Sequence, residues 1–252
     1  MKKWFPEMYD RPENGPVAAS AIYWPICYFM IPLVTLLFAW IFSSSITAVT
    51  AVDLITYLLN FLFYVGLFRT YLADSFLNVQ TDVSGFLKTL IPVTVLILAA
   101  ELGLMYEGVR GGWTGTFCAY PISETSMVAS TSFLVVGNPI FGTLCMTVLT
   151  PVTVSCMFYG TVFAPIANSR PVLAYFATAG LMVLPRLLSA WWMDNSTYDW
   201  AVYLLQLPVH MLACWSYQKT NTIWASIFSL AISNFLVCML LCYLAAIGFL
   251  YV

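Results

Sequence analysis

Residues 89–106 read TLIPVTVLILAAELGLMY, a run with a single charge, Glu101. Its length is close to the roughly 20 residues that a helix needs to cross a hydrocarbon core at about 1.5 Å per residue. Lipid offers backbone groups no hydrogen-bond partners, and an uninterrupted helix supplies all of its own. The same texture recurs on both sides, near 21–43, 51–68, 140–166, 172–192, 200–217 and 222–250. With 89–106 that makes seven expected spans. The stretch 125–137 is short and rich in Ser and Thr, and reads as a re-entrant or interfacial piece or an eighth span.

The composition agrees with this reading. Hydrophobic residues make up 62% and charged residues 8% of the 252 positions, against about 25% charged in a soluble domain. The expectation is an all-α, polytopic membrane helix bundle. It comprises a polar N-terminal arm, 1–20, and a single transmembrane helical domain, 21–252. Charge sets the orientation, because Lys and Arg gather on the cytoplasmic or matrix side. With seven spans and the N-terminus inside, Lys2, Lys3, Arg11, Arg69, Lys88, Arg170 and Lys219 fall inside and Arg110 outside, which puts the C-terminus outside. Eight spans would move Arg170 and Lys219 outside. The arm carries Glu7, Asp10 and Glu13, so it resembles neither a signal peptide nor an import presequence. A neighbouring subunit is one way to hold such an arm down.

Several function classes drop out. The net charge of -2 is thinly spread and gives no basic stripe for a nucleic-acid backbone. Seven cysteines and one histidine lack metal-ligand spacing, so no metal site is expected and the thiols read as small core hydrophobes. No nucleophile elbow or phosphate-binding glycine loop is present, and no catalytic residue is assigned. The sequon Asn195-Ser196-Thr197 falls in an outside loop.

The candidate site residues are charges at unusual depth. Glu101 at mid-span suggests either a proton or ion role or a protonated carboxyl bonded to a neighbouring helix. Arg186 follows Pro185 in the fifth span and reads as an internal ion partner or lipid contact. His210, the lone histidine, is expected as a hydrogen-bonded core residue. Arg69, Asp74 and Lys88 border the loop between the second and third spans. With Lys219 they are expected to contact lipid headgroups or partner subunits, or simply to mark topology.

Taken in order, these residues resemble subunit III of the haem-copper cytochrome c oxidases. Arg69, Asp74-Ser75, Thr81, Gly85, Lys88 and Glu101 repeat an inner-loop pattern that leads into a helix with a buried glutamate. Gly111-Gly112-Trp113, Asn138-Pro139, Thr143 and His210 follow in the family's order. The resemblance implies seven spans and a subunit without redox centres, with haem and copper in partner subunits. It also implies bound phospholipids, catalytic and other subunits as partners, and Glu101 linked to proton uptake. The location it implies is the mitochondrial inner membrane, with a bacterial plasma membrane as the alternative.

A second resemblance is to intramembrane proteases of the CAAX-processing type. Thr150-Pro151 to Gly160 matches the frame of that family's first motif and Trp224 to Asn234 that of its last. Val154, Ser155, Tyr159, Arg186 and Leu230 stand where the catalytic Glu, Glu, Arg, His and His belong, which implies a catalytically degenerate relative. A third class is a small transporter, with helix breaks at Pro32, Pro92, Pro151, Pro185 and Pro208, although no internal repeat accompanies them.

Overall fold

The computed structural model describes residues 5–24, 26, 46–110, 139–192 and 206–247. Among them the regular structure is entirely helical. The elements are α1 (14–24), α2 (Ile46–Leu67), α3 (Arg69–Thr81), α4 (Val83–Arg110), α5 (139–167), α6 (Pro171–Trp192), α7 (Leu207–Thr220) and α8 (Trp224–Ala246). Among the described residues three stretches are long and apolar enough to cross a membrane by length and composition: Val83–Gly103, Ile140–Ala167 and Trp224–Leu244. Leu58–Leu67 and Pro171–Leu184 are shorter apolar helices. The candidate at 125–137, the Gly111-Gly112-Trp113 landmark and the sequon at 195–197 lie outside the described residues.

Pairwise contacts fix the helix directions. α4 and α8 run parallel, with the Phe86 and Phe228 ring centroids 6.2 Å apart and the Ser233 hydroxyl donating to the Thr94 carbonyl at 3.4 Å. α5 runs against both. Near its start the Asn234 amide of α8 donates to the Met146 carbonyl at 2.8 Å, while near its end Phe163 packs against Tyr175 of α6 and Tyr217 of α7. Tyr175 at the start of α6 donates to Gln218 at the end of α7, so these two helices are antiparallel. α1 and α2 pair through Tyr23, which donates to Asn60 and stacks on Phe63. They join the rest through Thr161 of α5, which donates to Ser20. The arm, α3 and the turns at 168–170 and 221–223 therefore share one end, here called the arm end, and α4 ends and α5 begins at the other.

α3 stands where the sequence predicts a loop between the second and third spans. Tyr71, Leu72, Ser75 and Val79 are buried and share one helical face, which lies on α8 through the Trp224 indole N–H donating to the Leu72 carbonyl at 2.8 Å. Asp82 then starts α4, its carboxylate accepting the Gly85 N–H at 2.8 Å. This cap makes α4 begin six residues before the expected span, so Lys88 sits on a helix rather than in a loop.

Polarity is distributed as lipid requires. Leu58, Leu62, Ile91, Val95, Phe235 and Met239 face outward, whereas Asn60, Thr94, Thr150, Ser226, Ser233 and Asn234 are buried. Ser226, Ser233 and Asn234 donate to the carbonyls of Ala213, Thr94 and Met146, and the apolar surface is left for acyl chains. α5 is the central helix. Two π-helical stretches, Cys145–Leu149 and Ser155–Phe163, interrupt its α-helical course, a departure that recurs at functional sites.

Candidate functional site

The chain's own arm end holds the arm. Glu7 is exposed, Met8 fully buried, Tyr9 exposed and Asp10 half-buried, the alternation of an extended chain. Side chains of the bundle bind the arm mainly through its backbone. Asn168 brackets Met8, accepting its N–H and donating to its carbonyl, both at 2.9 Å. Asn221 accepts the Tyr9 N–H at 2.8 Å and donates to the Glu7 carbonyl at 3.3 Å. Gln218 donates to the Pro6 carbonyl and Tyr217 to the Asp10 carbonyl, each at 2.9 Å. Asn221 is placed by its left-handed backbone, φ 51°, the conformation that ends α7 and that asparagine tolerates.

The Asp10 carboxylate enters a hydroxyl cluster. Ser75 donates to it at 2.6 Å and Tyr71 at 3.1 Å. Ser75 also meets the Thr222 hydroxyl at 2.9 Å and accepts the Ile223 N–H at 3.1 Å. The Tyr71 and Tyr217 hydroxyls are hydrogen-bonded to one another. Each phenol has one proton. If Tyr217 gives its proton to the Asp10 carbonyl and Tyr71 to the carboxylate, none remains for the bond between them. A protonated Asp10 resolves the shortage by donating to Tyr71, which donates to Tyr217. Burial pushes the Asp10 carboxyl from its ordinary 3.8 up to about 6. The hydrogen bonds from Ser75, Tyr71 and the Ile223 N–H oppose the rise, and the negative Asp74 adds to it.

The sequence-expected residues are dispersed. Glu101 is 3% exposed on α4, within electrostatic reach of Cys238 on α8. His210 on α7 is buried, its Nδ1 3.3 Å from the Tyr159 hydroxyl of α5. Arg69, Asp74 and Lys219 are exposed around the arm end. Lys88 lines an open groove of about 690 Å³ along α4 with Val83, Ser84, Leu87, Ile91 and Pro92. Arg186 lies on α6, and its side chain falls outside the described residues. The described cysteines are free thiols, four of the five buried. Among the described residues no group of three His, Cys, Asp or Glu gathers in a way that could hold a metal.

The two protease-like frames meet in the core, where the 150–154 turn of α5 packs on α8. Val154, Ser155, Tyr159, Leu230 and Asn234 are all buried there. The Ser155 hydroxyl has no hydrogen-bond partner among the described residues. Asp10, Asn168, Gln218 and Asn221 carry only a weak sequence signal, as polar residues of the arm, of a helix end and of short turns between apolar blocks. Comparison with protein-family models, curated proteins and solved structures finds no match.

Proposed function

We propose that this chain is a multi-pass membrane protein that works as a non-catalytic subunit or scaffold, holding partner subunits and phospholipids rather than transforming a substrate. One observation carries the reading. α5 and α8 pack two motif frames against one another, with Val154 and Leu230 buried where a carboxylate and an imidazole would be needed. Aliphatic side chains there supply neither a general base nor a metal ligand. Asn234, the residue of the last motif that is kept, donates to the Met146 carbonyl and so ties the two helices together. This favours a degenerate relative of the CAAX-type proteases, its packing retained and its chemistry lost.

In the membrane the bundle crosses seven times, with the arm end inside and the C-terminus outside. Support comes from the alternating helix directions and from Arg11, Arg69, Lys88, Arg170 and Lys219 gathering toward one end. The oxidase subunit III reading keeps its own support in Glu101, buried at mid-span on α4, and in the order of Arg69, Asp74 and Lys88 leading to it. It assigns haem and copper to partner subunits and places the chain in a mitochondrial inner or bacterial plasma membrane.

Gentle solubilisation from the native membrane, followed by size-exclusion chromatography, haem absorbance and mass spectrometry, tests both forms. A stoichiometric integral-membrane partner supports the scaffold reading, and copurifying haem a and copper select the oxidase form. A solitary chain that hydrolyses peptides refutes the proposal.

A further inference from the structure

We infer that the arm end is a peptide-binding cradle, occupied here by the chain's own residues 6–10, which act as a displaceable internal ligand. The inference goes beyond the scaffold reading and does not depend on which form of it holds. Its basis is the kind of contact made. Asn168, Tyr217, Gln218 and Asn221 bond the arm through main-chain groups of Pro6, Glu7, Met8, Tyr9 and Asp10, and main-chain bonding is how proteins capture extended segments irrespective of most side chains. Within residues 6–10 selectivity enters through the fully enclosed Met8 side chain and the carboxyl of Asp10 against Ser75 and Tyr71, and just before them Phe5 packs on Tyr175.

The cradle is set by the bundle and not by the arm. Gln218 is oriented by Tyr175 at 2.8 Å, Ser75 by Thr222 and the Ile223 N–H, and Asn221 by the end of α7. Such preorganisation lowers the entropic cost of accepting a ligand. The ligand class that fits is an extended polypeptide segment with an unbranched apolar side chain followed two residues later by an acid. In the intact chain the tether keeps the arm at an effective concentration on the order of millimolar, so a competing segment must exceed that or the arm must be released.

The test uses the full chain with a specific protease site inserted between Glu13 and Asn14, cut in detergent after folding. A fluorescent peptide of residues 5–13 is then added, and anisotropy is followed with helicity and monodispersity checked in parallel. Expected are saturable exchange of the peptide into the cut chain and no uptake by uncut chain at micromolar peptide. A peptide carrying Met8→Ala should bind at least about thirtyfold more weakly, from the loss of a buried methionine side chain. A cut chain that stays folded but takes up no peptide overturns the inference. So does binding that ignores Met8→Ala, or equal binding to the uncut chain. Loss of fold on cutting also overturns it, because the arm would then be part of the fold rather than a ligand.

Discussion

Replacing Asp10 by asparagine isolates the one ionisable group that the arm carries into the cluster. A carboxyl held at about 6 when docked and near 3.8 when free binds more protons in the docked state, so docking is favoured at low pH. The advantage starts to fall as pH rises past the free value and is gone above the docked one. The gap between the two values corresponds to about 3 kcal/mol, or roughly a hundredfold in the docking equilibrium. Ser75 and Tyr71 address the same Asp10 oxygen, so asparagine keeps the geometry by placing its amide nitrogen there to donate to both hydroxyls, leaving Ser75 to donate to Thr222 and Tyr71 to Tyr217. Docking in Asp10→Asn should thus be flat with pH and match the native chain near pH 3, below the free value of 3.8. At pH 7.5 it should be tighter than native by up to about 3 kcal/mol. Hydrogen exchange at the Met8 and Tyr9 amides, both held by asparagine oxygens, reads this directly once corrected for intrinsic rates. Native protection that rises with pH, or a variant that tracks the native curve, would refute the reasoning.

Other substitutions probe separate parts of the fold. Met8→Ala empties an enclosed position and should weaken arm docking by about 2–5 kcal/mol, seen as faster cleavage after Glu7 by a glutamate-specific protease. Asp82→Ala removes the α4 cap for about 1 kcal/mol. In Gly85→Ala the added Cβ runs into the Asp82 carboxylate and dislodges the same bond, so the double variant should melt no lower than the sum of the singles and close to Asp82→Ala alone. Tyr159→Phe removes the hydroxyl that meets His210 Nδ1 and should lower the detergent melting point by the equivalent of about 1–3 kcal/mol. Glu101→Gln in the native complex should slow proton uptake if the oxidase form holds, and unchanged uptake and turnover would remove that role.

The bundle was readable because apolar runs carry their own length signal. The blocks near 51–68, 89–106, 140–166, 172–192 and 222–250 coincide with α2, α4, α5, α6 and α8 to within a few residues, apart from the cap-driven early start of α4. α3 escaped because its burial signal is only one helical face of a 13-residue element, and Asp74, Asn78 and Gln80 make that segment resemble a loop. The π-helical turns of α5 left no trace, since a change of hydrogen-bond register needs no special residue.

The arm end was illegible for a different reason. Its binding groups lie 61 to 214 positions from the arm residues they meet, as in Tyr71 with Asp10 and Asn221 with Glu7, and each alone is an ordinary polar residue of a helix or turn. Asn168, Ser169 and Arg170 look like a polar link between two spans, and only packing shows that Asn168 brackets a residue of the arm. Polar side chains at this end thus bond main chain, whereas at the centre of the bundle Val154 and Leu230 are buried. On the proposed reading the core packs and the rim recognises, which is the division expected of a chain that acts by holding others.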